Sequence, residues 1–162
     1  MSDNPTKRPL DPGLYFIATP LGNARDITLR ALDLLRDADV LAAEDTRSLR
    51  RLMEIHDVPL RGRRIIAYHD HNGAKARPGL LKALSERRTV VYASEAGSPL
   101  VADPGYQLAK GAIEERLPVF SAPGPSAVIA ALSVAGLPSD RITIAGFPPK
   151  AGGARRKFMK SL

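Results

Sequence analysis

Thr89-Val90-Val91-Tyr92-Ala93 runs without a break into Ser94-Glu95-Ala96-Gly97-Ser98-Pro99-Leu100. The first stretch is apolar past its opening threonine, with no polar alternation. A run of this length reads as a strand buried on both faces, as in a parallel sheet covered by helices on each side. The second stretch is mostly small residues, with a glycine and a proline, and reads as a loop. Ligands of such sheets bind at the carboxyl ends of the strands, so these residues predict both the fold and the place to look for a site.

Residues 14–18, 40–43, 64–68 and 118–121 are runs of the same kind, and residues 141–145 read as a sixth strand. Helical periods separate them. Leu29, Leu32 and Leu35 mark one, with Asp26 or Thr28 as its N-cap. Leu49, Leu52, Met53 and His56 mark the next, with Asp45 or Thr46 as its N-cap. Leu80, Leu81 and Leu84 mark a third, and residues 108–113 and 127–134 a fourth and fifth. This alternation implies right-handed βαβ units and a three-layer αβα domain around a parallel sheet.

The chain has 162 residues, of which 44% are hydrophobic, enough for one domain with a real core. It has no cysteine, which excludes disulfides, thiolate metal sites and a cysteine nucleophile. It has no tryptophan and few other aromatics, which argues against a binding surface of stacked rings. The polar, proline-containing start (Met1 to Pro9) has no apolar signal-peptide core, and no apolar run approaches the ~20 residues needed to span a bilayer. A cytoplasmic protein with no membrane partner is the expectation. The formal charge of +7 favours an anionic partner, nucleic acid first, with an arginine-rich solvated surface as the plainer alternative.

Five loops follow the strands. In Thr19-Pro20-Leu21-Gly22-Asn23, Pro20 stiffens the turn and Gly22 admits close backbone approach. One glycine makes neither a dinucleotide fingerprint nor a P-loop. Glu44-Asp45 is a carboxylate pair: Asp45 either caps the next helix or takes part in chemistry, and Glu44 suits a general base or a ribose-hydroxyl acceptor. His69-Asp70-His71-Asn72 holds two histidines, but no third ligand is indicated and no metal is expected. His56, on an apolar helix face, reads as structural. The fourth loop, residues 94–105, offers backbone N–H and C=O groups to a bound molecule. Pro123-Gly124-Pro125-Ser126 opens a helix whose N-terminus either holds an anion or is capped by Ser126. Arg47, Arg50 and Arg51 share one helix face by spacing, either as a phosphate-binding surface or as a solvated one.

Together, Phe16-Ile17-Ala18-Thr19-Pro20-Leu21-Gly22-Asn23, Ala43-Glu44-Asp45-Thr46-Arg47, Ser94-Glu95-Ala96-Gly97-Ser98-Pro99, Asp103-Pro104-Gly105, Pro123-Gly124-Pro125-Ser126-Ala127, Ser139-Asp140-Arg141 and Gly146-Phe147-Pro148-Pro149 form an ordered series. It resembles a family of small-subunit ribosomal RNA methyltransferases within the tetrapyrrole methylase superfamily, from about Gly13 to the last residue. The resemblance implies two α/β domains with S-adenosylmethionine in the cleft between them. It implies methyl transfer to the 2′-hydroxyl of a cytidine in small-subunit ribosomal RNA, and a homodimer. Its motifs put cofactor contacts on Leu21, Ser98, Val101, Ser126 and Ala127. Glu95 and Ser98 stand where the family pattern has Asp and Thr, and both keep the chemical type. No catalytic base carries over; from the residues alone, Glu44, Asp45 and His71 are the candidates. A tetrapyrrole methylase and a non-enzymatic RNA-binding module are the alternatives.

The organisation expected is a disordered tail over residues 1–12, a methylase domain over 13–146, and a linker with the start of a second domain over 147–162. The basic helix from Ala154 is too short to end a domain, and family enzymes run well past residue 162.

Overall fold

The computed structural model describes residues 10–100 and 104–162. Its strands are β1 (Gly13–Ile17), β2 (Val40–Ala43), β3 (Ile65–Ala67), β4 (Thr89–Ala93) and β5 (Val119–Ala122). Its helices are α1 (Leu29–Asp37), α2 (Thr46–Ile55), α3 (Gly73–Ser85), α4 (Gly105–Glu114), α5 (Ala127–Ala135) and α6 (Gly152–Lys160). The strands form one parallel sheet in the order β3-β2-β4-β1-β5.

The alternation of side chains along each strand divides the core into two. Tyr15 and Ile17, Leu41 and Ala43, and Val91 and Ala93 face one way and pack with Leu34 and Leu35 of α1 and Leu49, Leu52 and Met53 of α2. Leu14 and Phe16, Val40 and Ala42, and Val90 and Tyr92 face the other way, against Leu80 and Leu84 of α3 and Leu108 and Ala112 of α4. β2 and β4 are therefore buried on both faces, which is why they carry no polar alternation. Leu10 packs against the first core, and the Tyr15 hydroxyl donates to the Asp11 carbonyl at 3.0 Å.

The sixth strand expected over residues 141–145 does not form. Arg141-Ile142-Thr143-Ile144 is exposed and bridges to no neighbour, leaving β5 as the sheet edge. Extended backbone becomes a strand only when a ladder satisfies its N–H and C=O groups, and no described strand lies alongside. α5 is apolar on every side yet buries none of its residues. No helix among the described residues is long and apolar enough to cross a membrane.

Adjacent strands β1 and β4 send their chains to opposite faces, β1 into α1 and β4 into α4. Their loops part at the carboxyl edge, and a crevice opens there.

Candidate active site

The loops after β1 and β4 part but are stitched at one point. Thr19 N–H donates to the Gly97 carbonyl at 3.0 Å, and Gly97 N–H donates to the Thr19 carbonyl at 2.9 Å. Two buried hydroxyls brace this bridge: Ser94 Oγ donates to the Gly97 carbonyl at 2.7 Å and Thr19 Oγ1 to the Ser94 carbonyl at 3.2 Å. Gly97 sits at φ +75°, and a Cβ there would lie 2.9 Å from Leu21 Cδ2. The next atoms it would meet are the Pro125 carbonyl at 3.7 Å and Ala127 N at 3.9 Å. Only glycine fits that conformation and that crowding without strain.

On one side of the bridge lies a pocket of about 280 Å³, bordered by Ala96, Gly97, Ser98, Ser126, Ala127 and Val128, with Ile144 and Phe147 at its rim. Ser98 Oγ donates to the Pro125 carbonyl at 2.9 Å, tying the fourth loop to the fifth. Ser98, Ser126 and Ala127 thus meet in one place, whereas Leu21 lies beside Gly97 and does not border the pocket. Val101 lies outside the described residues. Ser126 is the N-cap of α5 but its hydroxyl makes no capping hydrogen bond, so the side chain does not occupy the first-turn N–H groups.

On the other side lies a wider cleft of about 580 Å³. Thr19, Pro20, Gly22 and Ala24 form one wall, α2 forms the other through Arg47, Ser48, Arg51 and Ile55, and Ser94 and Glu95 lie between. Asp45 caps α2: its Oδ1 accepts from Arg47 N–H at 2.7 Å and Ser48 N–H at 3.3 Å. Those backbone hydrogen bonds hold its carboxyl below the usual range. Glu44 Oε2 accepts from Glu95 N–H at 3.3 Å, which joins the second loop to the fourth. His71 is exposed beyond β3, its ring 6.0 Å from that of His69, and it borders neither cavity. No group of three potential metal ligands occurs among the described residues.

The arginines separate. Arg47 and Arg51 border the wide cleft, whereas Arg50 borders a different depression with Glu54 and Asp57. Further along, Arg61 pairs with Asp37 at 3.7 Å. Arg63 spends its guanidinium on the carbonyls of Ala38, Pro59 and Leu60, a structural use, and its partial burial lowers its pKa. Sequence reading did not single out the Thr19–Gly97 bridge. The available signal was a lone glycine just after a buried strand and facing another strand-end loop. His56, read from its apolar face as structural, makes one such contact: its Nε2 donates to the Ala24 carbonyl at 2.7 Å, on the wall of the cleft.

A three-layer parallel sheet with loops stitched above β1 and β4 has a family to match. The model of the Tetrapyrrole (Corrin/Porphyrin) Methylases matches residues 13–158, and the chain belongs to that family. Within it, the chain is similar to Ribosomal RNA small subunit methyltransferase I of Mesorhizobium japonicum, at 48% identity over 96% of this chain and 52% of that protein. The protein of the same name from Escherichia coli is 43% identical over 92% of this chain and 51% of its own length. The chain thus spans about half the length of the curated relatives it matches. The crystal structure of a diphthine synthase shares the fold with a TM-score of 0.63 at 20% identity, over 80% of this chain and 51% of that one.

Proposed function

We propose that the protein transfers a methyl group from S-adenosylmethionine to the 2′-hydroxyl of a cytidine in small-subunit ribosomal RNA. The observation that carries this reading is the pair of cavities on either side of the Thr19–Gly97 bridge, one suited to the donor and one to the acceptor. The smaller fits a nucleoside with an amino-acid tail: it is lined by small residues and backbone, and α5 presents uncapped N–H groups where a carboxylate gains from the helix dipole. Bound there, S-adenosylmethionine supplies an electrophilic methyl group. Leu21, Ser98, Val101, Ser126 and Ala127 are the residues proposed to hold it.

The wider cleft has the chemistry for RNA. Arg47 and Arg51 offer cations to phosphates at its edge, with Arg50 extending the basic surface to the next depression. This chain's main contribution is to hold the hydroxyl in line with the donor, a proximity effect. Of the candidate proton acceptors Glu44, Asp45 and His71, Glu44 fits best. It lies between Asp45 and Glu95, which both border the cleft, whereas the capping bonds of Asp45 make it a weak base and His71 is remote.

The domain division is part of the same reading: a methylase domain over 13–146, then a linker and the start of a second domain over 147–162. The bare apolar α5 fits a further surface, and a cytoplasmic homodimer is part of the same reading. The test is labelled S-adenosylmethionine with the full-length protein and unmodified small ribosomal subunits, followed by mapping of the label. A single 2′-O-methylcytidine is expected. Label on a base, or only on a tetrapyrrole precursor, would overturn the reading.

A further inference from the structure

We infer that His56 is a positioning residue for the RNA cleft, acting through the loop after β1. This inference rests on the wide cleft being the acceptor site. The two walls of that cleft come from segments distant in sequence, the loop 19–24 and helix α2. At the sheet end the loop is fixed by the Thr19–Gly97 bridge. Farther along, Ala24 packs against the core cluster that includes Leu49, Leu52 and Met53 of α2, and a polar tie between the walls is the hydrogen bond from His56 Nε2 to the Ala24 carbonyl, at 2.7 Å.

His56 is well placed to hold that wall. It is the C-cap residue of α2, and its own N–H donates to the Leu52 carbonyl at 3.3 Å. α2 is anchored by Leu49, Leu52 and Met53 in the core, so the imidazole is carried on a rigid element. The loop is less constrained: Asp26 N–H donates to the Asn23 carbonyl and Arg25 N–H to Asn23 Oδ1, both bonds being local to the turn. Without the imidazole, the segment 22–24 keeps its local turn and the packing of Ala24 on the core but loses its hydrogen-bonded tether to the facing wall. The cleft then samples wider openings, and RNA binding must bear the cost of closing them. The donor pocket lies beyond the bridge; the one donor contact proposed on this loop, Leu21, sits beside Gly97 at the bridged end, where the Thr19–Gly97 hydrogen bonds hold it when the tether at Ala24 is lost.

The experiment uses the full-length protein, unmodified small subunits and S-adenosylmethionine. His56→Gln keeps a side-chain N–H near the Nε2 position, whereas His56→Asn is polar but too short to reach. His56→Leu removes the donor. Loss of one such hydrogen bond should raise KM for the subunit about five- to tenfold in the Asn and Leu variants. The Gln variant should remain near wild type, and Kd for S-adenosylmethionine should stay unchanged in all three. Unchanged KM in the Asn variant would overturn the inference, as would equal losses of donor and subunit binding. Arg47→Ala/Arg51→Ala serves as the reference. If that double variant leaves KM unaltered, the acceptor site itself is misplaced; if it raises KM while His56→Asn does not, only the role of His56 falls.

Discussion

Thr19 and Gly97 exchange both of their backbone hydrogen bonds, at 3.0 and 2.9 Å, across the carboxyl edge of a sheet in which their own strands are neighbours. This reciprocal pair fixes the floor between two cavities. It demands a residue that tolerates φ +75° with Leu21 Cδ2 and Ala127 N close by. The site thus depends on backbone placed by small residues, and its predictions concern volume and geometry more than charge.

Ser98→Ala should separate loop anchoring from cofactor contact. It removes the hydrogen bond to the Pro125 carbonyl, at a cost of about 1 kcal/mol in stability. Ser98→Phe should fill the small pocket and abolish donor binding while the far-ultraviolet circular dichroism stays native. Unchanged affinity in Ser98→Phe would remove Ser98 from the cofactor site.

Asp45→Asn tests the capping role. The native carboxyl is held below its unfolded value, so its stabilising effect is complete above the unfolded value. The effect is lost as pH falls from there through the native pKa. The wild-type thermal midpoint should exceed that of the variant near neutral pH, and the gap should narrow progressively in acid. A constant gap across that range would show that the capping charge contributes nothing.

Arg63→Lys should be destabilising although charge is kept. The guanidinium reaches three carbonyls, Ala38, Pro59 and Leu60, at 2.6, 3.1 and 2.9 Å, and an ammonium on a flexible stem cannot reproduce that fork. Denaturant unfolding should show a loss of about 1–3 kcal/mol.

Arg87→Gly and Arg116→Gly should each stabilise the domain by about 0.5–1 kcal/mol. Both residues are left-handed, at φ 59° and 56°. Each follows a helix C-cap in a doubly hydrogen-bonded turn: Arg88 N–H returns to the Ala83 carbonyl, and Leu117 N–H to that of Ala112. Asp57 repeats the arrangement after α2.

Those turns also explain what the sequence left hidden. β2 and β4 sit at their expected bounds because burial on both faces leaves an unmistakable apolar run. The ends of α2, α3 and α4 carried no such sign, since Asp57, Arg87 and Arg116 occupy positions where glycine is the usual marker. Residues 141–145 looked like a strand, but pairing depends on a neighbour that local composition cannot reveal. At the site, motif resemblance brought Ser98, Ser126 and Ala127 into one group, and the structure places them around one pocket. Helical spacing put Arg50 with Arg47 and Arg51, yet at about 100° per residue it points about 60° away from Arg47 and about 100° from Arg51, into a separate depression. His56 showed its apolar face in the pattern; its bond to Ala24, 32 residues away in sequence, needed the tertiary fold.

In the proposed function, donor and acceptor occupy opposite sides of the Thr19–Gly97 bridge. Calorimetric titration of S-adenosylmethionine into full-length Gly97→Ala and Arg47→Ala/Arg51→Ala proteins tests it most directly. A Cβ at residue 97 meets Leu21 at 2.9 Å, and the left-handed backbone already present there costs a non-glycine residue about 1–2 kcal/mol. Donor affinity should therefore fall at least about tenfold in Gly97→Ala, equivalent to about 1.4 kcal/mol, and stay at the wild-type value in the arginine variant. The reverse pattern, donor binding lost with the arginines and kept with alanine at 97, would place S-adenosylmethionine in the wide cleft instead of the small pocket.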